Sequence, residues 1–256
     1  MIHIKGNVSR LAGVVLLATM LSASPSSAAP AVTNLTNGGS VSFASLVSSN
    51  GIPGLSVLIS DMLFSNFTFE YLAPSKKTLD NLVPADLTLY SYSNQVGIGF
   101  WIQLVDFDAP TSGDPRGFFF RDIALSFTAR IVNSPNMISG AFLGILGPVA
   151  GSGVARGSEE ITAKTRGIGA GNIVKLAHLS TYLTSDCQDP VDYVPFCRSE
   201  SLISVEKDLE VSGNSLCANY AGLSVVEEAF AQIPEPSAMV LLATGVTGLL
   251  VVRRRK

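Results

Sequence analysis

The sequence predicts an all-β chain: an antiparallel β-sandwich or jelly-roll-like body set between a signal-peptide helix and a carboxy-terminal transmembrane helix. Three observations predict the body. Apolar residues recur at every second position over short stretches, as in Ile123, Leu125, Phe127, Ala129 and Ile131, which is the period of a half-buried strand. Glycines, prolines and asparagines punctuate these stretches at Ser49-Asn-Gly51, Asn133-Ser-Pro135 and Gly147-Pro148, as turns require. Long helical periodicity is missing from the region between the termini. With 256 residues, the chain suits a single core with targeting segments at its ends.

Taken in order, strands are expected at 55–60, 66–72, 87–92, 97–105, 123–131, 137–146, 173–182 and 203–211. In the last of these, Ile203, Val205, Leu209 and Val211 alternate with polar residues, and Lys207 breaks the apolar series. Eight or more short strands with turns between them favour two packed antiparallel sheets.

Charge bounds the partners. Charged residues make up 14% of the chain and the net charge is -3. No basic run occurs outside the ends, so the footprint needed to bind a phosphate backbone is missing and nucleic acid is not an expected partner. Mean hydropathy is +0.38, raised in part by the two termini.

The amino terminus places Lys5 and Arg10 before an apolar run at 11–21 and a small-residue stretch from Ser22 to Ala31. That order is a secretory signal peptide, assigned to 1–31, with cleavage after Ala28 or Ala31. At the other end, an uncharged stretch at 238–252 is followed by Arg253, Arg254, Arg255 and Lys256. Fifteen helical residues span about 22 Å against a hydrocarbon core of roughly 30 Å, so the span is short. Snorkelling side chains and local thinning of the bilayer accommodate it. The basic cluster holds its end in the cytoplasm and acts as a stop, which leaves the body at 32–232 outside.

Two prolines flank Glu235 just before the span, and they keep the chain extended there. Pro234-Glu235-Pro236, an apolar helix and an arginine cluster, in that order at 233–256, resemble the PEP-CTERM sorting domain, a tail also labelled an ice-binding protein carboxy-terminal domain. The flat Thr-x-Thr array that ice binding calls for is missing from the body. The resemblance implies an exported bacterial surface or matrix protein whose tail is recognised and removed by an exosortase-type processing enzyme. It further implies Pro234, Glu235 and Pro236 as the sorting motif, transient membrane association, and an association with exopolysaccharide or biofilm. The segments Ile59 to Phe67 and Val205 to Gly213 are similar to segments of other proteins with this tail, and imply an extracellular β domain without an activity.

The body offers little chemistry. His178 is its one histidine, so a zinc site needing two or three is excluded, and it reads as an inert strand residue. No Gly-x-Ser-x-Gly elbow occurs. Glu159 and Glu160 are adjacent on a strand and face opposite ways, so they cannot flank one glycosidic bond. Asp106, Asp108 and Asp114 space carboxylates around a turn but match a calcium loop poorly, and no metal or other cofactor is expected. The glycine cluster at 167–171 reads as a loop, with no strand before it.

Cys187, Cys197 and Cys217 lie in an oxidising compartment. The spacing of Cys187 and Cys197, around Pro190 and Pro195, favours a disulfide between them, and other pairings with Cys217 stay open. The aromatics Phe64, Phe67, Phe69, Tyr71, Tyr90, Tyr92, Phe100 and Trp101 read mainly as core. Phe118 to Phe120 cannot all face inward, so one of them is a candidate surface contact. The expectation is a non-enzymatic surface protein. The alternative is a displayed polysaccharide-binding or polysaccharide-modifying enzyme.

Overall fold

The computed structural model describes residues 30–49, 52–72, 82–94, 97–105, 107, 118–164, 171–214 and 220–234, apart from the side chains of residues 118, 119 and 214. The expected signal peptide, except its last two residues, and the expected helix at 238–252 lie outside the described residues. So do Glu235, Pro236, the basic cluster, Asp106, Asp108, Asp114, Cys217 and most of the glycine cluster. Among the described residues no helix is long and apolar enough to cross a membrane.

The body is a β-sandwich. In chain order its strands are β1 (Val32–Leu35), β2 (Ser40–Ser42), β3 (Ser56–Ile59), β4 (Met62–Tyr71), β5 (Leu87–Ser93) and β6 (Ile98–Leu104). There follow β7 (Phe118–Ile131), β8 (Asn136–Leu146), β9 (Val149–Ala150), β10 (Val154–Lys164) and β11 (Ile173–Leu183). The last are β12 (Gln188–Asp189), β13 (Val191–Glu200), β14 (Leu202–Asn214), β15 (Tyr220–Ala221) and β16 (Val225–Pro234).

An eight-stranded sheet runs β1-β3-β4-β7-β14-β10-β11-β12, and a six-stranded sheet runs β13-β8-β16-β6-β5-β2. β15 and β9 form a two-stranded sheet. All named pairs are antiparallel except β1 with β3. Turn chemistry fixes two of the connections. Ser60 and Asn133 take φ values of 56° and 58° between β3 and β4 and between β7 and β8, a left-handed region that short polar side chains tolerate better than branched or bulky ones. Asn66, at φ 57°, sits where the register of β4 against β7 shifts, and its side-chain nitrogen donates to Thr128 Oγ1 at 3.1 Å.

Phenylalanines from both sheets interlock in the core. Phe64, Phe100 and Phe230 are essentially inaccessible and Phe127 nearly so. Phe100 meets Phe64 edge-on at 5.1 Å and Phe127 edge-on at 5.2 Å, a geometry that aligns ring edges with ring faces. Burying each ring contributes about 1.5 to 3 kcal/mol.

The expected strands are found with ends shifted by a few residues, and the turns at 133–135 and 147–148 fall between strands. Three segments depart from expectation. Residues 161–164 belong to β10, so a strand does precede the glycine cluster. The alternation there is disguised because its inward positions are Ala155, Gly157, Glu159, Ile161 and Ala163. Residues 191–200, with Pro195 inside, form β13 rather than a loop; β13 is a sheet edge, where a missing N–H costs no ladder bond. β16 continues to Pro234, two residues past the expected end of the body, paired with β8 from Leu146 to Asn136.

Candidate functional site

The outer face of the eight-stranded sheet carries a polar row perpendicular to its strands. Thr68 on β4 stands opposite Ser126 on β7, Ser126 opposite Glu206 on β14, Glu206 opposite Glu160 on β10, and Glu160 opposite His178 on β11. Directly opposite side chains have Cβ atoms about 4.5 to 5.5 Å apart, so the five form a continuous band. Their inward neighbours Leu125, Val205 and Ile161 are buried, so the strands' alternation holds the row outward. Thr68 Oγ1 and Ser126 Oγ share a hydrogen bond of 2.7 Å, and Lys175 Nζ donates to Glu160 Oε2 at 2.7 Å.

This row and its neighbours, among them Glu70, Ser158 and Asp208, line a shallow hollow of about 490 Å³. Volumes of this order are usual for small-ligand sites. Beside it lies a second hollow of about 430 Å³ lined by Arg156, Ser180, Tyr182 and Thr184. Tyr182 is 36% exposed and Phe120, on the outer side of β7, is 37% exposed, so each leaves ring surface free at this end. The expectation of an exposed ring within 118–120 is met at Phe120.

The face is acidic. Glu70, Asp122, Glu160, Glu206, Asp208 and Glu210 outnumber Arg130, Arg156, Lys164 and Lys175. Asp122 is opposite Glu210 in register. Burial, then the hydrogen bond and charge of Asp208, then the charge of Glu210 push its carboxyl from 3.8 up to about 7. Asp122 is therefore part-protonated near neutrality and able to donate as well as accept.

The sequence reading of Glu159 and Glu160 holds: Glu160 faces outward and Glu159 inward, where it is buried. His178, read as inert, stands exposed in the row. Most of the aromatics read as core lie there, but Tyr90 and Trp101 stack on each other on the outer face of the six-stranded sheet, 4.0 Å apart at 7°. One face of each ring is taken up by the other. Beside them, burial and then the neighbouring Glu227 raise the pKa of the Tyr92 hydroxyl above its usual range.

The bridge expected between Cys187 and Cys197 is not seen: both are free and exposed thiols. Cys187 closes a turn with Thr184, whose Oγ1 accepts from the Cys187 amide at 2.9 Å, and its Sγ shares a hydrogen bond of 3.2 Å with the Tyr182 hydroxyl. Cys197 belongs to β13 in the other sheet, so the two do not flank one loop.

The row escaped the sequence reading because it is assembled from five strands distant along the chain. Pairing of β10 with β14 supplies its centre, and β10 was the strand hidden by small inward residues.

Of the sorting-motif residues, Pro234 ends β16, opposite Asn136. Residues 232–256 match the family model of the PEP-CTERM protein-sorting motif. The chain ends in a PEP-CTERM protein-sorting motif. The PEP-CTERM motif implies export and the processing of a membrane-held precursor by an exosortase. No curated protein matches the chain in sequence.

Solved structures similar to the chain include TmCBM61 in complex with beta-1,4-galactotriose, at 9% identity and TM-score 0.29, over 66% of this chain and 88% of that one. The enzymatically active domain of Bacteriophage CBA120 tailspike protein 4 is similar over 65% of this chain and 20% of its own, at 10% identity and TM-score 0.27. A structure of promiscuous carbohydrate-binding modules from the β-sandwich superfamily is similar over 65% of this chain and 56% of its own, at 11% identity and TM-score 0.27.

Proposed function

We propose that this protein is a non-enzymatic surface or matrix component that binds a polysaccharide on the outer face of its eight-stranded sheet, after sorting through its PEP-CTERM tail. The observation that carries the binding role is the row Thr68, Ser126, Glu206, Glu160 and His178 over its hollow. Sugar hydroxyls donate to carboxylates and exchange bonds with side-chain hydroxyls. A shallow band of such groups suits a chain of sugars lying across the strands, and Tyr182 and Phe120 offer ring surface for stacking. The excess of carboxylates repels an acidic polymer, so the ligand class is a neutral or amine-bearing polysaccharide of the matrix.

Calorimetric titration of the folded body with neutral, amine-bearing and acidic polysaccharides tests this. Neutral or amine-bearing chains should bind, and Glu206→Gln and His178→Ala should each weaken binding by about tenfold, the loss of roughly one good hydrogen bond. Binding unchanged in both variants would place the ligand elsewhere.

A second reading, a polysaccharide-modifying enzyme, is favoured by one observation. Asp122, raised to about 7 and paired with Asp208, has the proton affinity of a general acid at neutral pH. Depolymerisation of the bound polysaccharide, abolished by Asp122→Asn, would establish that reading in place of the first.

A further inference from the structure

Three charged side chains meet inside the sandwich, away from the polar face. Lys207 of β14, Glu159 of β10 and Glu228 of β16 are fully buried at their side chains. Lys207 Nζ donates to Glu159 Oε2 and, at 2.6 Å, to Glu228 Oε2. Glu159 and Lys207 stand directly opposite on neighbouring strands, whereas Glu228 comes across the core from the six-stranded sheet. Glu159 Oε1 and Glu228 Oε1 are buried without a hydrogen-bond partner.

As a plain ion cluster this arrangement is costly. Each buried ion loses several kcal/mol of hydration, and the attraction compensates only where the remaining lone pairs are satisfied. Here two carboxylates share one ammonium, and each keeps an unsatisfied oxygen. Burial, then the charge of Glu159, raises the pKa of Glu228 well above the usual carboxylate range, which favours its protonated form. Burial lowers the pKa of Lys207, and the two carboxylates more than offset it.

We propose that Lys207 and Glu159 join in an intramolecular isopeptide bond, with Glu228 as the catalytic acid. The two glutamates hold Lys207 in its charged form, and passage of one proton from its ammonium to Glu159 leaves the neutral amine and neutral carboxyl that the step needs. The Nζ lone pair attacks Cδ of Glu159, a C–N bond forms, and the carbonyl electron pair moves to oxygen. As the tetrahedral adduct collapses, a Cδ–O bond breaks. Glu228 protonates the departing hydroxyl and takes up the proton released from Nζ. The products are one secondary amide, one water and Glu228 in its starting form, so no oxidant or other co-reactant is needed. Holding amine and carboxyl in contact supplies the large effective concentration that an amide-forming step requires. The bond also removes two buried charges, and β10 and β14 become covalently joined.

The test is peptide mass spectrometry on the full chain, purified folded and then denatured and digested with trypsin. The fragment 157–164 should be found joined to the fragment carrying Lys207, at their summed mass less one water, with no cleavage after Lys207. Separate fragments with cleavage after Lys207 would overturn the proposal, and a join to Glu228 would overturn the assignment to Glu159. In Glu228→Gln the joined product should fall at least tenfold at full folding, as judged by circular dichroism. Undiminished joining in that variant would remove Glu228 from the chemistry. Should that variant fail to fold, digestion of the unaltered chain still decides whether the bond exists.

Discussion

Replacing Asp122 with asparagine should stabilise the folded body at alkaline pH and leave it nearly unchanged at acid pH. Asp122 lies on the outer face of β7, opposite Glu210, with Arg156 beyond Glu210 in the same row. Asp208 is its diagonal neighbour on β14, and Glu70 faces it diagonally from β4. Burial, the Asp208 hydrogen bond and the two β14 charges raise its carboxyl from 3.8 to about 7. The folded chain thus binds this proton more tightly than the unfolded chain. The stabilisation is complete below about pH 4 and is lost as pH rises through about 7. A fully buried group shifted this far would contribute about 4 kcal/mol; at a half-buried site, screening by water reduces that to about 1 to 2 kcal/mol.

Asparagine keeps the shape and can still bond Asp208, but has no proton to lose. Thermal and urea denaturation of both proteins from about pH 3 to about pH 9 should show a stability difference near zero at the acid end, below the unfolded value of 3.8. It should grow to about 1 to 2 kcal/mol at the alkaline end, or about 2 to 8 °C in Tm. A difference independent of pH, or one that grows toward acid, would refute the assignment of this proton to Asp122.

Gly99→Ala should lower the urea midpoint by the equivalent of about 3 kcal/mol, because overpacking against a backbone forces strands apart; an added Cβ would lie 1.8 Å from the Glu228 carbonyl oxygen. Phe127→Ala should cost about 3 to 5 kcal/mol in the same assay, since its ring contacts Phe64, Phe67, Phe100 and Phe230. Asn136→Ala should cost about 1 to 2 kcal/mol by breaking the cluster in which Asn136 Nδ2 donates to Asp61 Oδ2 at 3.2 Å and Gln232 Oε1 at 3.0 Å. Amide exchange at 231–233 should then quicken while that at 225–229 holds.

Strands with large apolar residues at every second position, such as 123–131 and 203–211, were legible because period-two burial is what creates the pattern. β10 was not, because at its inward positions Ala155 and Gly157 are too small to mark a core face and Glu159 is charged. The charge there is matched by Lys207, seen in the sequence as a break in alternation, and by Glu228 in the other sheet. A charged residue at inward parity was the available signal. Its partners could be named only once three distant strands were brought together. β13 was hidden by Pro190 and Pro195, since a proline's cost in a strand depends on whether its N–H side faces a neighbour. The outward row of the candidate site follows from register between strands, which alternation along one strand does not contain. The sorting tail needed no register, because its three parts are consecutive.

Among the described residues β16 is the last strand, yet it lies between β8 and β6 and is the sole link between the β13-β8 pair and the β6-β5-β2 group. A chain threaded outward from its amino end therefore holds the six-stranded sheet as two pieces, each with an open edge ready to pair wrongly, until residues 225–234 arrive. Those residues run directly into the sorting motif, which begins at 232. The sheet can thus close only once the start of the sorting motif has emerged with them. The exposed edges are then at risk during export, and a chain truncated before Val225 should aggregate rather than fold.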